Sequence, residues 1–126
     1  MQRILLVDDE SIVLTVLGNL FRSDGYDVIP IQDGREAVKL LKSEEKIDLM
    51  ISDIRMKPID GMKLLKLAAE VRPSMPVVMV TAYGSNATEK EAKKAGALAY
   101  MTKPFKTEEL LATVKQALEH KDQDLT

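Results

Sequence analysis

Polar residues with complementary chemistry follow four of the short apolar runs in this chain. Asp8 and Asp9 come after the first run, Asp53 after the third, Thr81 after the fourth and Lys103 after the fifth. Three carboxylates held close together repel one another unless a hard cation such as Mg²⁺, which prefers oxygen ligands, balances their charge. A lysine and a threonine beside them supply donors for phosphoryl oxygens. These residue types predict a phosphoryl-transfer site in which one of the carboxylates is the nucleophile.

The elements that must position these residues are short apolar runs alternating with stretches of helical period. The alternation predicts an α/β fold, (βα)5, with a doubly wound five-stranded parallel sheet and helices on both faces. The first, third and fourth strands are almost continuously apolar, as strands covered on both faces are, whereas Pro30 favours an edge position for the second. The predicted strands cover residues 3–7, 27–31, 48–52, 77–80 and 98–101, and the predicted helices cover 11–22, 33–42, 61–71, 86–94 and 107–120.

Two of the predicted helices differ in the apolar surface that they can bury. The first helix has one apolar face made of Ile12, Val13, Val16, Leu17 and Leu20. The fourth helix offers little more than the methyl groups of Ala87, Ala92 and Ala95. We therefore expect the fourth helix to be weakly held, with its N-cap at Asn86 and Glu89 three residues later.

Composition and charge exclude several classes of function. The chain has 126 residues, with 18 basic against 20 acidic side chains and a net charge of −2, so no field favours nucleic acid as a direct partner. The absence of cysteine excludes a disulfide framework and a thiolate metal site. The first apolar run is too short for a signal peptide or a membrane span. We expect one cytoplasmic domain at residues 1–120, a polar tail or linker at 121–126, and no membrane partner.

The motifs at the strand ends resemble those of the receiver domain of bacterial two-component response regulators, over residues 3–119. The residues that carry the resemblance are Val7-Asp8-Asp9-Glu10, Asp53-Ile54-Arg55-Met56, Asp60-Gly61, Thr81-Ala82 and Lys103-Pro104-Phe105. The resemblance implies the flavodoxin-like strand order 2-1-3-4-5, which is described for a chemotaxis receiver. It also implies a cis peptide bond between Lys103 and Pro104.

The resemblance assigns a role to each residue of the predicted site. It implies that Asp53 accepts a phosphoryl group from a sensor histidine kinase and that Lys103 contacts this group. Asp8 or Asp9, Asp53 and the backbone carbonyl of Arg55 are the implied ligands of Mg²⁺. The domain is then a signalling switch and not an enzyme, because it catalyses only its own phosphoryl transfer and slow autodephosphorylation.

The switch and the partners also follow from the resemblance. Thr81 is expected to move towards the phosphoryl group and Tyr100 to turn inward, which remodels the face made by the fourth helix, the fifth strand and the fifth helix. Two segments, Thr81-Ala82-Tyr83-Gly84-Ser85 and Thr102-Lys103-Pro104-Phe105, are most similar to receivers that precede σ54-activating ATPase modules. Candidate partners are therefore a covalent C-terminal output domain, of the σ54-type ATPase class or another class, and a second copy forming a homodimer through the switch face.

Two alternative functions stay open at this point. A haloacid-dehalogenase-like phosphatase also uses an aspartate and Mg²⁺, but its Asp-x-Asp pattern after the first strand is not matched by Asp8-Asp9-Glu10-Ser11. A pseudo-receiver keeps the fold as an interaction module without taking phosphate, although such domains normally lose the acceptor, the acid pair or the lysine. One departure from the receiver pattern lies beside Asp53, where Lys57-Pro58 replaces the usual Pro-Gly and adds a positive charge.

Overall fold

The computed structural model describes residues 1–124, and of residues 120–124 only their place in a helix. The elements are β1 (Arg3–Val7), α1 (Ser11–Ser23), β2 (Asp27–Ile31), α2 (Gly34–Leu41), β3 (Leu49–Asp53), α3 (Gly61–Val71), β4 (Val77–Thr81), α4 (Asn86–Lys94), β5 (Ala99–Thr102) and α5 (Thr107–Asp124). All paired strands are parallel, in the order β2-β1-β3-β4-β5. The predicted fold class and strand order are confirmed.

Helices cover both faces of the sheet because the inner strands have no polar face. Ile4 and Leu6 of β1 belong to the core shared with α1 and α5, whereas Leu5 and Val7 belong to the core shared with α2, α3 and α4. Every residue of β3 and β4 is buried. β2 lies at one edge, where Pro30, which has no amide hydrogen to donate, is exposed.

The buried face of α1 differs from the expected one. The helix buries Leu14, Leu17, Gly18 and Phe21. Ile12 is 70% exposed and Val16 is 57% exposed, so the expectation is wrong at these two positions. Two apolar stripes overlap on this helix, and the stripe with Phe21 removes more apolar surface from water. The Phe21 ring also packs edge-on against Tyr26, with 6.2 Å between the ring centroids.

Little apolar surface anchors α4. Of its side chains only Ala92 is buried, and Ala87 is exposed. The expectation of a lightly held helix is confirmed in this respect. The N-cap is Ser85 and not Asn86, because the Ser85 hydroxyl accepts a hydrogen bond from the Thr88 amide at 3.1 Å. The residue whose side chain accepts a hydrogen bond from the first turn is thus one position earlier than predicted.

The last helix, α5, extends beyond the expected end at residue 120. Its buried residues are Leu110, Val114, Ala117 and Leu118, and Leu111 is partly buried against the same core. Residues 125 and 126 of the expected polar tail lie outside the described residues, so the tail at 121–126 stays a prediction. Within residues 1–124, no helix is long and apolar enough to cross a bilayer.

Arg72 holds the carboxyl end of α2, and its loss should be measurable. Its guanidinium group donates hydrogen bonds to the backbone carbonyls of Leu41 (2.9 Å), Leu40 (3.1 Å) and Ser43 (2.8 Å). Arg72→Ala should lower the free energy of unfolding by about 1 to 2 kcal/mol, because carbonyls at a helix end lose a charged donor. Urea denaturation measures this, with Arg72→Lys as an intermediate case. An unchanged midpoint would contradict the capping role.

Candidate functional site

The carboxyl ends of four parallel strands bring the predicted polar residues to one edge of the sheet. The register pairs Asp53 with Val80 and Thr81 with Thr102, so β3, β4 and β5 end at nearly the same level. Asp8 directly follows β1, which pairs with β3. Asp8, Asp53 and Thr81 are buried, with at most 6% of each residue exposed. The fold therefore buries two carboxyl groups and one hydroxyl group at this edge of the sheet.

Lys103 bridges the two buried carboxylates. Its Nζ lies 3.2 Å from Oδ2 of Asp8 and 3.3 Å from Oδ2 of Asp53. Burial works against the ammonium group, but the attraction of the two carboxylates outweighs it, so the pKa of Lys103 lies above its ordinary value. Its amide donates to the Thr81 carbonyl at 2.7 Å, and the Lys103–Pro104 peptide bond is cis, as expected.

The two acids that Lys103 contacts belong to a larger acidic cluster. One carboxylate oxygen from each of Asp8, Asp9, Glu10 and Asp53 lies within 4.8 Å of the others. Burial is the main reason that the pKa of Asp8 lies above its ordinary value, although the Glu10 amide and the Lys103 ammonium group favour the carboxylate. An all-oxygen donor set of this density fits a hard divalent cation such as Mg²⁺.

Glu10 is a member of the cluster to which the sequence motif gave no metal-binding role. It occupies the N-cap position of α1, but its side chain makes no capping hydrogen bond there. Its amide donates to Oδ1 of Asp8 at 2.9 Å, which fixes the orientation of that carboxylate. The sequence feature that could have indicated this role is the position of Glu10 directly after Asp8-Asp9. The turn into α1 then brings its carboxylate to the cluster.

The backbone of Asp53 is held by close packing against the start of α3. The Gly61 amide donates to the Ile54 carbonyl at 2.8 Å. A Cβ at position 61 would overlap the carbonyl oxygen of Asp53 and lie 2.9 Å from its carbonyl carbon. Asp60 caps α3, since its side chain accepts from the Lys63 amide at 2.9 Å. A side chain at position 61 and the observed position of Asp53 are therefore incompatible.

Tyr83, in the loop after β4, contacts both Thr81 and Arg55. The Thr81 hydroxyl accepts a hydrogen bond from the Tyr83 amide at 3.2 Å. The Arg55 guanidinium carbon lies 4.9 Å from the centre of the Tyr83 ring, within the range of a cation–π contact. Tyr100, the other expected switch residue, is half-buried and packs against the core.

The segment that departs from the receiver pattern lies beside the acidic cluster. The Lys57–Pro58 peptide bond is cis. Lys57 is exposed, and together with Arg55 and Asp9 it lines a surface pocket of about 500 Å³. The added positive charge is thus next to the acids, as the sequence predicted.

Two buried carboxylates bridged by one lysine, in an acidic cluster at the carboxyl edge of a 2-1-3-4-5 sheet, form the arrangement of an aspartate phosphoacceptor domain. A family model described as the response regulator receiver domain matches residues 4–115. The chain belongs to this family of phosphorylation-dependent switches. Membership of this family argues against the alternative function of a haloacid-dehalogenase-like phosphatase.

Similar proteins agree with this assignment. The transcriptional regulatory proteins GlrR and ZraR of Escherichia coli K12 are 40% and 41% identical over 116 and 117 residues, which is 92% and 93% of this chain. The chain spans 26% of the length of each. A CheY-like receiver from Methanospirillum hungatei superposes with a TM-score of 0.94 at 31% identity, over 98% of both chains. A beryllofluoride-activated NtrC4 receiver domain dimer gives 0.90 at 33% identity, over 96% of this chain and 99% of that one.

Proposed function

We propose that Asp53 accepts a phosphoryl group from the phosphohistidine of a sensor histidine kinase. The observation that supports this most strongly is the Lys103 ammonium group, which lies between the buried carboxylates of Asp8 and Asp53. An ammonium group in that position can contact and stabilise the phosphoryl oxygens when the group is transferred to Asp53. Asp53 is buried but lies at the rim where ligands bind in sheets of this order.

In the transfer step, a carboxylate oxygen of Asp53 attacks phosphorus and forms an acyl phosphate. The phosphorus–nitrogen bond of the donor breaks, and its electron pair stays on the imidazole. Lys103 contacts the phosphoryl oxygens, and the Thr81 hydroxyl donates a hydrogen bond to one of them. Water later attacks the acyl phosphate slowly, so the domain returns to its starting state without acting as an enzyme on other substrates.

Asp8, Asp9 and Asp53, with the backbone carbonyl of Arg55, are the proposed ligands of Mg²⁺. The fit rests on the four carboxylate oxygens within 4.8 Å of one another, and it adds Glu10 as a direct or water-mediated ligand. Mg²⁺ would neutralise the acids and the incoming phosphoryl oxygens, which otherwise repel each other.

Asp8→Asn should raise the melting temperature of the metal-free protein by a few degrees and abolish stabilisation by Mg²⁺. A carboxyl group whose pKa is raised by folding stabilises the fold when protonated and loses that contribution as the pH rises, so at neutral pH the charge of Asp8 is unfavourable. The measurement is thermal unfolding with and without MgCl₂. Asp24→Asn, at an exposed acid, is the control and should keep the response. A variant at Asp8 that still gains stability from Mg²⁺ would contradict this ligand.

The output of the switch is the face made by α4, β5 and α5. Thr81 would give up its hydrogen bond with the Tyr83 amide to reach the phosphoryl group, and the light anchoring of α4 lets that loop respond. This face is the proposed surface for a homodimer or for a C-terminal output domain of the σ54-type ATPase class or another class, joined through residues 121–126. We place the switch in the cytoplasm, where a histidine kinase phosphorylates it.

Stoichiometric labelling tests this function and separates it from a pseudo-receiver. Incubation with acetyl phosphate and Mg²⁺ should add one phosphoryl group per chain, as measured by intact mass spectrometry. The adduct should need the metal and should be absent in Asp53→Asn, while Asp60→Asn, at the partly buried acid that caps α3, reports on any non-specific labelling. No adduct on folded protein would favour the pseudo-receiver, and an adduct that survives Asp53→Asn would place the acceptor elsewhere.

A further inference from the structure

Gly84, in the loop between β4 and α4, has no side chain in a place where two hydroxyl groups occupy the space. A Cβ at this position would lie 2.9 Å from Oη of Tyr100 and 2.9 Å from Oγ1 of Thr102, closer than real Cβ contacts. The backbone does not require glycine here, because Gly25 and Gly96 have positive φ and Gly84 does not. Space, and not backbone conformation, is therefore the reason for glycine at position 84.

The hydroxyl group of Tyr100 is held without a hydrogen bond. Its oxygen is buried and has no partner among the residues that the structure describes. A buried hydroxyl without a partner is unfavourable, so hydrogen bonding does not keep Tyr100 in this position. The packing of its ring against the core and the gap left by Gly84 keep it there. Such a position is sensitive to one added methyl group.

We propose that Gly84 is the positioning residue that admits the half-buried Tyr100, with its hydroxyl group enclosed, to its place on the switch face. A methyl group at position 84 displaces Tyr100 outward, because the hydroxyl sits at the free end of a rotatable side chain. The extension to signalling rests on the proposed function: Gly84→Ala accepts a phosphoryl group but presents a switch face on which Tyr100 is displaced outward.

The position of Tyr100 can be read directly by ¹⁹F NMR of protein labelled with 3-fluorotyrosine. Tyr26→Phe and Tyr83→Phe assign the signals, and a soluble gadolinium chelate broadens the exposed rings. The Tyr100 signal should be shielded from the chelate in the parent protein and broadened several-fold more in Gly84→Ala, with and without acetyl phosphate and Mg²⁺. Gly18→Ala is the matched control, since its Cβ meets only the flexible end of Arg22 at 3.3 Å, and it should behave as the parent.

A mutant cycle keeps the proposal testable if Gly84→Ala folds poorly. Tyr100→Phe with Thr102→Ala removes the atoms that the new methyl group would meet, so Gly84→Ala should lower the melting temperature at most half as much in that background. The proposal would be overturned if Gly84→Ala lowered the melting temperature equally in both backgrounds, or if Tyr100 were as shielded in Gly84→Ala as in the parent protein. Failure of the parent protein to take phosphate would contradict the proposed function, while the shielding of Tyr100, which needs no phosphate, still decides the role of Gly84.

Discussion

Gly61→Ala is expected to lower the free energy of unfolding by about 3 kcal/mol or more and to remove most of the phosphorylation at Asp53. The new methyl group would overlap the backbone carbonyl of Asp53, and the Cα of Ile54 would be 2.9 Å away. Backbone atoms cannot rotate aside as a side chain can. Relief requires α3 to separate from the end of β3, which moves the acceptor and breaks the hydrogen bond between the Gly61 amide and the Ile54 carbonyl.

The stability part of this expectation is measured by urea denaturation, and the site part by the rate of adduct formation under conditions in which the variant is still folded. Gly18→Ala is the control, because it also adds a methyl group at a buried glycine but meets only a flexible guanidinium group. It should change stability by less than about 1 kcal/mol, with alanine favoured over glycine inside a helix. Equal and small losses in the free energy of unfolding for Gly61→Ala and Gly18→Ala would show that α3 does not hold Asp53 in place.

Lys103→Met is expected to slow phosphorylation of Asp53 by about 100-fold or more, the effect of removing one donor that stabilises charge in a transition state. Methionine keeps the apolar length of the side chain and removes the ammonium group that lies within 3.3 Å of Asp8 and Asp53. The rate of mass increase with acetyl phosphate and Mg²⁺ measures the effect. Lys106→Met, at an exposed lysine, should react as the parent does, and a rate within three-fold of the parent for Lys103→Met would contradict the role.

The same variant should also be less stable without metal, since two buried carboxylates lose their shared cation. The pKa of Lys103 is raised by folding, so its contribution to stability is complete below the ordinary value of 10.5 and is lost as the pH rises through the higher value. The stability gap between the parent and Lys103→Met should therefore stay constant from neutral pH to about pH 10 and close only above it.

The sheet and the position of the site could be predicted from the sequence because strong local patterns specify them. Continuous apolar runs at β1, β3 and β4 require two covering layers, and Pro30 fits only an edge strand. Parallel strands bring their carboxyl ends to one edge, so the spacing of Asp8, Asp53 and Lys103 was enough to predict that they meet. Their distances confirm the meeting of the lysine with both acids.

Other features depend on competition between packing arrangements that no short pattern encodes. On α1, two apolar stripes have the same period, and the larger volume of Phe21 decides that Ile12 and Val16 stay exposed. At α4, Ser85 and Asn86 are both good capping residues, and the hydrogen bond to the Thr88 amide selects the first. The space around Gly61 is limited by Asp53 and Ile54, and the space around Gly84 by Tyr100 and Thr102, so these roles depend on how close the folded elements approach and not on residue type alone.

Phosphorylation of Asp53 is tested most directly by locating the phosphoryl group chemically. Borohydride reduces an aspartyl phosphate to homoserine, so protein labelled with acetyl phosphate and Mg²⁺ can be reduced, digested and sequenced by tandem mass spectrometry. We expect homoserine at position 53, dependent on Mg²⁺ and absent when the metal is chelated before labelling. Homoserine at position 8, 9 or 60, or none in protein that has gained the mass of a phosphoryl group, would contradict it.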